Sequence, residues 1–395
     1  MSQHLALLRR VVRQSAYLKN TLALLSGTFV TQAIVFIASP ILSRIFGLED
    51  FGNLANFNAW VSLLMLFGNL RYEHAILVAK GPEKTGQAIA LTALLSLASF
   101  VAYALIAAGI YFFFHGAGYL AHLKSIVLFI PFGTLSLSLS SLFIQFNVKS
   151  GRFKRLASVT AMQVAVALVP QVLLGKLHVR HALILGTIVG CVFSAAVFAW
   201  FFVREEGMRG VRAGMSAASL RATAREHLNF PRYTLAADAV TVVSQQFIPV
   251  FILALFNPAV AGLYAFSIRV VRVPLIVLST AVAGALRKEA IDLVHGGRSL
   301  AGLFSVTVRS LALISLLPLV VVLLFAEPLF GFVFGHQWTG AGRVVQILSP
   351  GILFEFIALP LTTFFLVTNT QRYIFAIQVG GFVLLVLALF AGKRY

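Results

Sequence analysis

A handful of polar side chains fall inside long apolar runs: Arg71, Glu73, Asp238, Arg269, Arg272 and Glu355, with the amides Gln32, Gln245 and Gln246. Arg269 and Arg272 stand three apart in SIRVVRVPL, so on a helix they share one face. Two cations on one face repel each other at low dielectric, and an anion held between them relieves the repulsion. The guanidinium fork suits phosphate oxygens. The competing reading is that acids, Asp238 or Glu355, neutralise both arginines. Arg71 and Glu73 stand two apart in LRYEHAILVAKG and point to nearly opposite sides of a helix. They are therefore not expected to pair with each other, and each needs a partner or water on another helix. Each reads either as half of a structural ion pair or as part of a polar wall. Asp238, Glu355 and Glu73 read as counter-ions, or as groups that take up H+ or Na+.

What these residues can do depends on their solvent. Of the 395 residues 59% are hydrophobic and 11% are charged. A soluble domain has roughly twice that share of charge. Apolar runs of about 20 residues recur along the whole length, so the solvent is lipid and the chain is an all-α polytopic membrane protein. Eleven spans are read. Six precede a polar stretch: Thr21–Arg44, Leu54–Ala79, Gln87–Phe114, Ser125–Val148, Leu156–Gly175 and His181–Val203. Five follow it: Tyr233–Phe256, Val260–Leu286, Leu303–Ala326, Ala341–Val367 and Tyr373–Phe390.

The net charge of +19 could point to nucleic acid. Topology accounts for it better. With the N-terminus, which carries Arg9, Arg10, Arg13 and Lys19, placed in the cytoplasm, Lys and Arg outnumber those of the opposite side roughly three to one. No nucleic acid is then expected. The N-terminal stretch lacks the small-residue cleavage site of a removed signal peptide. Residues 1–20 form a cytoplasmic N-terminus, 21–203 a first lobe, 204–232 a cytoplasmic linker and 233–395 a second lobe. At an offset of 210 residues Thr31, Phe46, Gly52 and Ala55 match Thr241, Phe256, Gly262 and Ala265. Six spans is an even number, so the halves enter from one side, the parallel type of transporter repeat with a site between lobes.

The stretch RYEHAI after a DFG turn, the segment FPRYTLAADAVTVVSQQFIPVFILALFNPAVAGLYAFSIRVVRVPL, and VFGHQWTGAGRVVQILSP carry a family resemblance. The chain resembles the polysaccharide (O-antigen type) flippases of the multidrug/oligosaccharidyl-lipid/polysaccharide exporter superfamily. That resemblance implies two lobes of about six helices in a bacterial inner membrane. It implies movement of a polyprenyl-pyrophosphate-linked oligosaccharide to the outer leaflet by alternating access, alongside polysaccharide polymerase machinery. Arg269, Arg272 and Arg71 would then meet the pyrophosphate. Gln32, Gln245 and Gln246 would meet sugar hydroxyls, or simply pack between helices. The eleven spans depart from the expected twelve, so the second lobe is expected to lack its last helix.

Other chemistry finds little support. Cys191 has no partner for a disulfide, no metal spacing is present and no phosphate-binding Gly loop follows a strand. No cofactor is expected. A membrane-embedded polymerase or glycosyltransferase would need acids on a sizeable outer loop, and Glu49, Asp50 and Glu327 are few. A drug or ion exporter of the same architecture would favour acids over arginines in the cavity. The GTIVG stretch at Gly186–Gly190 reads as a close helix contact.

Overall fold

A computed structural model describes residues 26–113, 119–205, 208–368, 370 and 372–392. The basic N-terminal cluster, Lys393 and Arg394 lie outside the described residues. The first two expected spans fall on α1 (Ser26–Ile45), α2 (Leu48–Gly68) and α3 (Glu73–Val78). α4 (Gly81–Phe113), a short α5 (Tyr119–Lys124), α6 (Ile130–Lys149), α7 (Phe153–Lys176) and α8 (Ala182–Glu205) follow. The linker forms α9 (Arg209–Gly214) and α10 (Ala217–Glu226). Then come α11 (Leu235–Leu255), α12 (Pro258–His295), α13 (Ala301–Phe334), α14 (Thr339–Val367) and α15 (Arg372–Gly392). No strand occurs among the described residues.

Nine helices among the described residues are long and apolar enough to cross a membrane. The other two expected spans lie on α2 and α15, of 21 residues each, enough for about 30 Å of hydrocarbon. Large apolar side chains are widely exposed, Phe113 to 86% and Phe332 to 84%. In water such a surface would aggregate; against lipid tails it is the matching solvent.

Contacts divide the chain into two compact units, Met1–Gly262 and Leu263–Tyr395. In the first, α2, α3, α4, α6 and α8 bury Phe57, Leu66, Ile76, Phe146 and Phe202. α7 and α8 form a hairpin whose turn places His178 and His181 at φ of +53° and +61°. Gly186 and Gly190 let its helices touch: a Cβ at Gly190 would lie 2.6 Å from the Gln163 carbonyl oxygen. The GTIVG stretch is thus a close helix contact, as its spacing predicts. α11 belongs to this unit and packs along α2. In the second unit Trp338, fully buried, lies 4.0 Å from Phe266 between ring centroids, with Phe334 edge-on. Ser267 Oγ donates to the Leu263 and Ala341 carbonyl oxygens, fixing α12 to α14.

One crossing in the first unit is reciprocal. A Cβ at Gly52 would lie 1.9 Å from the Pro258 carbonyl oxygen, and one at Gly262 would lie 1.8 Å from that of Leu48. Leu48 and Pro258, like Gly52 and Gly262, stand 210 residues apart, the spacing of the sequence repeat. Gly52→Ala is therefore expected to destabilise by roughly 1–3 kcal/mol through overpacking. Gly109→Ala, with open space around its Cβ, should be neutral or stabilising by up to about 1 kcal/mol. Thermal unfolding of the detergent-solubilised variants compares the two.

Candidate functional site

The second expected span is not one helix. α2 stops at Gly68, and Leu70 and Arg71 adopt φ of +50° and +61° before α3 begins at Glu73. For residues with a side chain this costs about 1–2 kcal/mol each. Asn69 holds the turn: its Oδ1 accepts the Arg71 N–H at 3.3 Å and its carbonyl oxygen accepts the Tyr72 N–H at 3.0 Å.

The break rearranges the charges. Arg71 Nη1 donates to Glu73 Oε1 at 3.0 Å, so the expectation that these residues point apart is corrected. That expectation assumed continuous helix, and the left-handed residues turn the Arg71 side chain back over Glu73. Arg71 Nε also lies 2.8 Å from Asp238 Oδ2 on α11. Its N–H is not aimed at that oxygen, so this contact is one of charge rather than a formed hydrogen bond. The Glu73 side chain is fully buried, that of Arg71 17% exposed and that of Asp238 35%. One cation thus serves two carboxylates. Tyr72 Oη donates to the Ala224 carbonyl oxygen at 3.1 Å, and His74 and His227 both lie against Phe230. The break therefore grips α11 and also the end of the linker.

In the second unit Arg272 Nη2 donates to Glu355 Oε1 at 2.8 Å, with both side chains 45% exposed. Arg269, one turn earlier, has a buried Nε without a hydrogen-bond partner, and no carboxylate lies within 4 Å of it among the described residues. The reading in which Glu355 neutralises both arginines is corrected: it meets Arg272 and not Arg269 among the described residues. Glu355 serves Arg272, Asp238 serves Arg71, and Arg269 is left over. Gln32 and Gln246 are half-buried and Gln245 is exposed, with no side-chain hydrogen bond among the described residues.

The basic end of the first unit is cross-linked by charge. Arg155 grips both oxygens of Glu205, which Arg152 also contacts, and the Arg155 guanidinium lies 3.9 Å from the Phe201 ring centre. Lys84 pairs with Glu226 at 2.7 Å, and Lys149 donates to the Ala79 carbonyl oxygen. Sequence reasoning missed Asn69 and Tyr72. The Gly68-Asn69 pair carried a signal, since Gly followed by Asn ends helices.

This all-helical arrangement is the fold of MATE-type transporters. An inward-facing multidrug resistance MATE family transporter of the MOP superfamily superposes with a TM-score of 0.63 at 13% identity, covering 91% of this chain and 87% of the other. A mutant of the Vibrio cholerae MATE transporter VcmN gives 0.52 at 14% identity, over 92% and 86%. The sequence model of a family described as "Polysaccharide biosynthesis protein" matches residues 41–343, and the chain belongs to that family. No curated protein sequence matches significantly.

Because Glu73 is fully buried, removing its cation should cost more than removing the pair. Arg71→Met is expected to destabilise by about 3–5 kcal/mol, and Arg71→Met with Glu73→Leu by clearly less. Thermal unfolding of both variants in one detergent tests the order.

Proposed function

We propose that this chain moves a polyprenyl-pyrophosphate-linked oligosaccharide from the cytoplasmic to the outer leaflet of a bacterial inner membrane, by alternating access of two lobes. The lobes are residues 21–203 and 233–395, joined by the linker at 204–232, with the N-terminus in the cytoplasm. The product feeds polysaccharide or O-antigen polymerase machinery. The protein acts as a carrier, not as an enzyme.

The observation that carries this reading is Arg269. A guanidinium held in a half-buried position without an acid partner among the described residues is costly at rest. Its cost is repaid when an anion arrives, and Arg suits phosphate oxygens. Arg272 assists once Glu355 yields, and Arg71 contributes from the helix break. Gln32, Gln245 and Gln246, free of other side-chain bonds among the described residues, suit sugar hydroxyls. Coupling to H+ or Na+ falls to Asp238, Glu355 or Glu73. A cation exporter of the same fold needs acids that are open to its cargo. Here each of those acids already faces an arginine, which favours an anionic cargo.

The test is reconstitution with a labelled lipid-pyrophosphate oligosaccharide, asking whether label becomes accessible on the far leaflet. Arg269→Ala should slow translocation at least roughly tenfold, the weight of one charge-assisted hydrogen bond, while the protein still inserts. Unchanged transport in that variant removes Arg269 from the mechanism. New glycosidic bonds without translocation would support an enzyme instead.

A further inference from the structure

Three buried polar atoms at the α2–α3 break have no hydrogen-bond partner: Asn69 Nδ2, Arg71 Nε and Glu73 Oε2. Buried polar groups are paired as a rule, so each orphan is costly. Two of the three are donors, on the same strained stretch that carries the left-handed Leu70 and Arg71. Unpaired N–H groups on strained backbone are suited to an anionic oxygen that is not yet there.

The two carboxylates at the break are held unequally. Glu73 is fully buried and hydrogen-bonded to Arg71 Nη1, so it is fixed. Asp238 is 35% exposed and lies beside an N–H that does not point at it, so it is exchangeable. A pyrophosphate presents more anionic oxygens than a carboxylate does and so can accept from several donors at once.

We infer that the Asn69–Arg71 break is a docking site for a phosphoryl oxygen, which takes the place of Asp238 on Arg71 and thereby releases α11. In the exchanged state the oxygen accepts from Arg71 Nε–H and Asn69 Nδ2–H. Glu73 keeps the guanidinium oriented through Nη1. Asp238, its charge now turned to solvent, no longer holds the start of α11 against the break. Arrival of the anion and release of α11 are then one event. The lipid-linked identity of the natural anion rests on the function proposed above; the docking chemistry is open to inorganic pyrophosphate alone.

The probe is inorganic pyrophosphate, titrated against the full chain in lipid nanodiscs. Spin labels at Leu77→Cys on α3 and Ala237→Cys on α11, in a Cys191→Ala background, report the distance between the helices. Pyrophosphate should lengthen that distance. Asp238→Asn should bind it about tenfold more tightly and show the longer distance without it, because the competing charge is gone. Asn69→Ala should bind it about tenfold more weakly. Arg71→Lys, which keeps the charge but removes the fork, should also weaken binding and guards against misfolding of the Asn69 variant. A distance that ignores pyrophosphate, or an affinity unmoved by Asp238→Asn and Arg71→Lys, overturns the inference. Binding lost in Arg269→Ala alone would overturn it too, while leaving the transport reading in place. The expected responses in a protein that moves no lipid-linked label would remove the transport reading and leave the docking site standing.

Discussion

The contact between Arg71 and Glu73 is the interaction on which the middle of the first unit depends. Two left-handed residues that are not glycine cost roughly 2–4 kcal/mol together. A buried carboxylate without its cation would cost about 3–5 kcal/mol. The strain is therefore smaller than what it prevents, and the helix breaks so that the charge can be paired. Everything nearby follows from that choice. Asn69 closes the turn, Tyr72 reaches the linker, and the rest of the guanidinium is free to meet Asp238 on α11.

The same constraint explains how the intramembrane acids are shared out. In a low dielectric each carboxylate goes to the nearest guanidinium its backbone can reach. Glu355 on α14 finds Arg272, and Asp238 on α11 finds Arg71. Arg269 differs from Arg272 by three residues and a little rotation, yet it keeps no acid among the described residues. Spacing put both arginines on one face, and only the position of α14 within its unit could decide which of them meets Glu355.

Much of the fold was legible because its signal is coarse. A run of about 20 apolar residues needs no tertiary context to be read as a span, and among the described residues the runs fall largely on helices, with the second broken at Asn69–Tyr72. Four positions match at an offset of 210 residues, and two of them, Gly52 and Gly262, lie at one close helix crossing. The site was legible by residue type but not by partner. Nothing in LRYEHAI announces left-handed backbone at Leu70 and Arg71. Asn69 went unread, although the Gly68-Asn69 pair is a helix-end signal, because the apolar run continues past it.

The reciprocal glycines and the arginine bridge act on the same helix in different ways. At its start α2 crosses α12 where neither helix tolerates a methyl group, a contact of shape that charge does not alter. At its far end α2 gives way to a turn whose hold on α11 is electrostatic and partly exposed. A contact of shape breaks only when backbones separate, whereas a contact of charge can be exchanged for another charge while the backbones stay near. Of these two contacts of α2, the crossing at Gly52 is thus set by backbone shape and the one at the break by charge.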